Sequence, residues 1–355
     1  MKKIYFILFL FTFYSTLNAQ RIYLVDSLTL KPIQSVVVEN GKGEIVAISD
    51  EKGSVKLDNE TTFYTSHISY NSKKINKNKI KEEQKIVLST KKYEIPEIVL
   101  TNKAYDYTLL KTYIRTYQYA DSIPVYYTEG WVDFYIPKKG NNLKYNILAL
   151  KCYENIKDDK LNSIKKGTLF MGQNGLINFL KTNYFPLEDK KYSLIKKSED
   201  FYNISYNGKE GAGKIEKGKD CYEYYLNNLF PKEKGGGSFA GRTNIIHNID
   251  IYQKFQASKE IEEIDKTDFD LFRYMVNLET IYKEEKISLV TIYEIYPVKK
   301  VGISKNDIKE IRLQSSFGGI LSSQNIDKFN EIQEKVPAPS SFSEFFIKKE
   351  FKLLF

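Results

Sequence analysis

The chain has 355 residues, a formal net charge of +9 and an aromatic content of 14%, with 28 tyrosines and 22 phenylalanines. Its lysines are scattered among glutamates rather than gathered in one basic tract, which reads as a solvated surface and argues against nucleic acid as a partner. Two cysteines and two histidines exclude a disulfide-dense scaffold and leave little material for zinc or histidine chemistry. Abundant Tyr and Phe with frequent Ile, Val and Thr predict a mainly β protein.

Residues 1–19 open with Lys2 and Lys3, continue through an apolar run from Ile4 to Tyr14, and close on Leu17-Asn18-Ala19. This is the order of a secretory signal peptide cleaved after Ala19, and the apolar run is short of the roughly 20 residues a membrane helix needs. It predicts an exported protein of the periplasm, outer membrane or cell surface. The chain beyond Ala19 is too long for one core, since cores stop growing near about 250–300 residues, so two domains are expected.

From residue 20 to 100 the chain shows short β-branched runs at Ser35 to Glu39, Glu44 to Ile48, Ser54 to Leu57 and Lys85 to Ser89, with Gly41, Gly43 and Gly53 between the first three. Short strands at roughly ten-residue spacing with turn residues between them predict a β-sandwich.

Several segments in that region carry a family resemblance. Asp26, Pro32-Ile33 with Val38, Ser49-Asp50 with Gly53, Ile68-Ser69-Tyr70 and Pro96-Glu97-Ile98-Val99-Leu100 succeed one another in order. Together they resemble the carboxypeptidase-regulatory-like module of Bacteroidetes envelope proteins. Ser35-Val36, Val55 and Ser72-Lys73 depart from the family's usual Gly-Ala, aromatic and Gly-Tyr. The resemblance implies an Ig-like or transthyretin-like sandwich that accompanies other domains and carries no catalysis itself. In many such proteins the module precedes a TonB-dependent receptor, but this chain is too short for a plug and a barrel of about 22 strands.

Residues 101–355 read as a larger, β-rich α+β domain. Tyr107, Leu110, Ile114 and Tyr117 recur at three- and four-residue spacing, which predicts an amphipathic helix ending before Pro124. Strands are expected at 125–136, 144–154, 202–207, 221–228, 272–282 and 286–298, the last two forming a hairpin that turns near Glu284-Glu285. Ile326, Phe329 and Ile332 are spaced as a short helix that Pro337 and Pro339 terminate. The closing stretch from Glu344 to Phe355 reads as a final strand packed into the core. Its terminal Phe355 also resembles the recognition signal of outer-membrane barrels.

The search for chemistry yields one constellation. Glu129 and Asp133 flank Trp131 at even spacing, so on a strand all three share one face, where two carboxylates and an indole could bind or act on a glycan. The same pattern also describes an ordinary polar strand. No metal motif or cofactor signature is present: His67 and His247 read as structural or surface residues, and the glycine-rich stretch from Gly235 to Arg242 lacks the Lys-Ser/Thr end of a phosphate loop and reads as a surface loop. Cys152 and Cys221 form a disulfide or remain two buried thiols.

The sequence therefore predicts a non-enzymatic exported envelope protein acting by binding or assembly, with an envelope protein or a glycan as partner and peripheral or outer-membrane association. A membrane-inserted barrel and a glycan-acting protein are the alternatives.

Overall fold

The structure, a computed structural model, describes residues 20–57, 60–93, 97–99, 105–140, 143–155, 191–218, 220–227, 238–239, 242–257, 260–265, 267–282, 285–310, 329, 332, 337, 341 and 343–353. The expected signal peptide at 1–19, most of the expected helix around Phe329, Gly235 to Gly237 and Phe355 lie outside the described residues. The chain divides into two compact units, Met1–Lys91 with Ser340–Phe342, and Lys92–Pro339 with Ser343–Phe355. The fold is mainly β.

The first unit contains β1 (Gln20–Asp26), β2 (Val37–Asn40), β3 (Ile45–Ile48), β4 (Ser54–Leu57), β5 (Thr62–Ser66), β6 (Lys74–Asn76) and β7 (Gln84–Leu88). They form two sheets, β4-β1-β7 and β3-β2-β5-β6. The core between them takes Ile22 and Leu24 from β1, Val38 from β2, Val55 and Leu57 from β4 and Phe63 from β5. Inward residues alternate along β1 and β4, which is the period of a strand with one face packed. Gly53 sits at φ +69 and a Cβ there would lie 2.4 Å from the Leu24 carbonyl oxygen, so this turn admits no side chain. Ser341, which belongs to this unit, donates from its hydroxyl to both Glu39 carboxylate oxygens at 2.7 and 3.0 Å.

The second unit is organised by one long antiparallel sheet. Its strands are β8 (Glu97–Val99), β9 (Tyr107–Ala120), β10 (Ile123–Pro137), β11 (Lys144–Glu154), β12 (Tyr192–Ser198), β13 (Phe201–Tyr206), β14 (Lys209–Lys217), β15 (Cys221–Asn227), β16 (Ser238–Phe239), β17 (Arg242–Gln256), β18 (Phe269–Tyr282), β19 (Glu285–Ile303) and β20 (Lys352–Leu353). Among the described residues it also has two α-helices, α1 (Lys305–Glu310) and α2 (Ser343–Glu350). The order is β12-β13-β14-β15-β17-β18-β19-β9-β10-β11-β20, with β16 on β17 and β8 parallel to β19. Since β8 pairs with β19, the 97–99 strand belongs to this unit and not to the sandwich in which the sequence pattern places it.

The hairpins that build the sheet are local. Asn207 and Gly208, both at positive φ, join β13 to β14 with Tyr206 opposite Lys209, as a two-residue turn of matching twist requires. Asp121 and Ser122 do the same between β9 and β10, at φ 47 and 72, and Asp121 Oδ1 accepts from the Ser288 amide at 3.0 Å. The expected β18–β19 hairpin pairs Tyr282 with Glu285.

One face of this sheet is apolar. Leu110 and Ile114 of β9, Val132 and Phe134 of β10, Ile215 of β14, Tyr224 of β15, Ile251 of β17, Phe272 of β18 and Ile295 of β19 belong to one buried cluster. Ile261 and Ile264, from the 3-10 turn between β17 and β18, add to it. The opposite face of β9, β10 and β19 is buried as well, under Tyr113, Tyr117, Tyr127 and Tyr296.

Two expectations are overturned. The segment 107–117 is not a helix but most of β9, because a strand buried on both faces carries apolar residues at any spacing, and three- and four-residue intervals arise there by chance. As far as Leu353, the stretch that begins at Glu344 is not a core strand: it is α2 followed by two-residue β20. Ile347 is fully buried and Lys348 reaches back one turn to Glu344 at 2.9 Å, a pairing that only helical geometry supplies.

Candidate functional site

Glu129, Trp131 and Asp133 share one face of β10, and all three are buried. Their surroundings separate them. Glu129 lies opposite Arg115 on β9 and Lys151 on β11, and Arg115 in turn lies opposite Glu294 on β19, which faces Arg273 on β18. This row of alternating charge crosses five strands, as directly opposed cross-strand pairs favour.

Every part of that row near Glu129 is engaged. Tyr113 and Tyr127 each donate a hydroxyl to Glu129 Oε2 at 2.7 Å, and Lys348 of α2 approaches the same oxygen at 2.8 Å. Burial pushes the Glu129 carboxyl up, but Lys348 and the tyrosine hydrogen bonds outweigh it and hold the group below the usual carboxylate range. Arg115 has its Nε 3.3 Å from Glu344 of α2 and its guanidinium carbon 5.0 and 5.1 Å from the centroids of the Tyr113 and Tyr296 rings. Its Nη2 donates to the Pro337 carbonyl. Tyr296 donates to Glu294 at 2.6 Å. Such a network is costly to break, because a charge left alone in the interior keeps its desolvation penalty.

Asp133 is different. The residue is 8% exposed, and Oδ1 takes no hydrogen bond from any described residue. Directly opposite on β9 stands half-buried Lys111. Burial pushes the Asp133 carboxyl up to about 6, with Lys111 lowering it only in part.

The carboxylate lines a cavity of about 390 Å³ together with Lys111, Thr112, Trp131, Leu148, Val298 and Ile332. Two irregularities of the sheet shape this space. The β10–β11 register slips after Trp131, so that Trp131 pairs with Ala149 and Val132 with Ile147, leaving Leu148 as the extra residue. The β19–β9 register slips likewise, with Pro297 opposite Thr112 and Lys299 opposite Lys111, leaving Val298 extra. A bulge bends its strand and re-aims a side chain; here both extra residues line the cavity.

Trp131 is held against the edge of Tyr113, with centroids 4.9 Å apart and planes at 69°. Gly130 beside it admits no side chain, since a Cβ would lie 2.2 Å from the Ala149 carbonyl oxygen. At this position β11 therefore approaches β10 closely.

Sequence pattern alone singles out Trp131, Glu129 and Asp133 but misses Lys111, Leu148 and Val298. Lys111 becomes visible once the 107–137 segment is read as a hairpin, because pairing Ala120 with Ile123 fixes Lys111 opposite Asp133. Leu148 and Val298 have no local signal.

Cys152 and Cys221 are free thiols. They lie on β11 and β15, with β17, β18, β19, β9 and β10 between them in the sheet, so no disulfide joins them. Cys152 packs against Thr128 Oγ1 at 3.5 Å, and burial pushes its thiol up to about 11. His67 is buried in the first unit and His247 is exposed on β17. Among the described residues no three His, Cys, Asp or Glu side chains are grouped to hold a metal ion. Ser238 and Phe239 of the glycine-rich stretch pair with Thr243 and Arg242. No helix among the described residues is long and apolar enough to cross a membrane.

Comparison with family models and with curated proteins finds no match to this chain.

Proposed function

We propose that this is an exported envelope protein that acts by binding, its larger unit holding a small polar ligand in the Asp133 cavity and its smaller unit serving as a regulatory-like module of the kind its sequence resembles. One observation carries the reading: a buried carboxylate, one oxygen of which has no partner among the described residues, lines a cavity beside a fixed tryptophan. A carboxylate whose charge is penalised by burial gains from a ligand that brings a donor or a positive charge to it. Apolar cavities with a few convergent polar groups and a displaced titratable group are the usual form of a small-molecule site.

Binding is favoured over glycan cleavage because that chemistry needs two available carboxyl groups. Glu129 spends its charge on Lys348 and on two tyrosine hydroxyls, so it does not serve as the second free acid beside Asp133. A lipid-facing barrel is disfavoured by the central strands β9, β10 and β19, which bury both faces in protein, whereas a barrel wall turns one face to lipid.

Trp131 is the single tryptophan of the chain, so in the folded protein its fluorescence reports on a residue that lines the cavity. Titration of the full chain with the low-mass fraction of a host envelope extract should give a saturable change that Asp133→Asn abolishes. A signal indifferent to the extract would remove the proposal.

A further inference from the structure

We propose that the Asp133 cavity takes a small zwitterion, a free amino acid or a short peptide, with its ammonium on Asp133 and its carboxylate on Lys111; this rests on the binding role proposed above. Lys111 and Asp133 are directly opposed in the β9–β10 register, which brings their side chains to the same strip of the sheet. Yet they do not satisfy each other: Asp133 Oδ1 accepts nothing from Lys111 or from any other described group. Both line the cavity.

Charge then selects the ligand. A simple cation drawn to Asp133 meets the Lys111 ammonium, and a simple anion drawn to Lys111 meets the Asp133 carboxylate. Each is penalised by the like charge close by, and the penalty grows where water is scarce. A neutral sugar leaves both charges without a counter-charge. A molecule carrying one charge of each sign answers both groups at once. The remaining lining, Trp131, Leu148, Val298 and Ile332, offers apolar surface to a hydrocarbon side chain. At about 390 Å³ the space is at the small end of the roughly 300–1,000 Å³ range of ligand cavities.

The opposed pair also lies where the sheet is least regular. Lys111 adjoins the register slip at Val298, and Asp133 lies just past the one at Leu148. The two bulges thus flank the β9–β10 pair at one level and bring apolar walls to the charged pair from both sides.

The test is titration of Trp131 fluorescence in the full chain with glycyl-leucine, its N-acetylated form, its C-terminal amide and glucose. Glycyl-leucine should give a saturable change. Blocking either end should weaken binding at least tenfold, as should Asp133→Asn and Lys111→Met, each variant checked by its thermal melt to be folded. Equal binding of the blocked forms, or binding of glucose in place of the dipeptide, would overturn the zwitterion assignment while leaving a binding site in place. A response to the envelope extract with none to glycyl-leucine or to the twenty free amino acids would do the same. Silence toward extract and probes alike would bring down the binding role itself.

Discussion

Glu129 and Asp133 stand on either side of Trp131 on one face of β10, both buried, yet one carboxyl is held below its ordinary range and the other is pushed up to about 6. The difference lies in what each faces. Burial acts on both, but Glu129 receives an ammonium and two hydroxyls, whereas among the described residues Asp133 receives the field of Lys111. The first carboxylate holds the fold together and the second costs it stability.

That contrast has a pH signature. A carboxyl whose folded pKa is raised binds protons more readily folded than unfolded, so stability falls as pH rises from about 4 to about 6. At about 1.4 kcal/mol per pH unit, a shift from 3.8 to about 6 costs on the order of 3 kcal/mol above that window. Asp133→Asn should therefore stabilise the larger unit at pH 8 and lose most of that gain by pH 4. Denaturation followed by Trp131 fluorescence at both pH values checks it, and a variant less stable at pH 8 would show that Asp133 has a structural partner. Glu129 has the opposite sign: its depressed folded pKa gives stability that is present above the ordinary carboxylate range and is lost as pH falls through the folded value.

Glu344 links α2 to Arg115. Replacing it with Ala leaves the guanidinium, 0% exposed at its side chain, without that counter-charge, and should cost about 3–5 kcal/mol. Lys349→Ala on the same helix, at a side chain 82% exposed, should fall within about 0.5 kcal/mol of the parent. The midpoints of the two variants in guanidinium, read at Trp131, make the comparison.

Gly130→Ala should destabilise the β10–β11 pair by about 2 kcal/mol or more, since the added methyl meets backbone rather than a flexible side chain. It should also blunt ligand binding, because β11 carries Leu148 into the cavity. A variant with the parent's melt and the parent's affinity would refute the close approach.

Thiol titration distinguishes the two fates of the cysteines. Two free thiols per chain are expected in denaturant without reductant. In the native protein Cys152, buried and with its thiol pushed up to about 11, should alkylate far more slowly than a free cysteine at pH 8. A single mass two protons lighter, with no free thiol, would contradict the structure.

Much of this was legible in the sequence. The alternation around Trp131 placed three residues on one face, and the β-rich segments from Val125 onward became strands because β-branched and aromatic residues fit a pleated surface. The first unit's turns were marked by Gly43 and Gly53, both at positive φ. Less visible was β9, whose turn to β10 is Asp121-Ser122 and not the Asn-Gly that announces a hairpin elsewhere in the chain at Asn207-Gly208. The cavity was less visible still. Its bulges are decided by which strand lies alongside, and neither Leu148 nor Val298 differs locally from its neighbours. The charge row through Arg115 is likewise a property of separate strands in register, and α2 is a helix because Glu344 and Ile347 find partners on distant parts of the chain.

The pairing of β19 with β9 sets the order of assembly. The strands from β12 to β19 join by successive neighbours, and β9 to β11 do the same, but the seam between the two sets, Leu289 opposite Ala120 through Ile303 opposite Tyr107, waits for chain made much later. While the ribosome is still adding β12 to β18, the first hairpin set has one long edge of unpaired amides and carbonyls, the kind that invites association with another chain. Loop closure across so much sequence is slow relative to local hairpins. The sheet's central seam thus closes late, after the hairpins on either side of it, and a nascent chain held extended until β19 arrives is protected from joining the wrong edge.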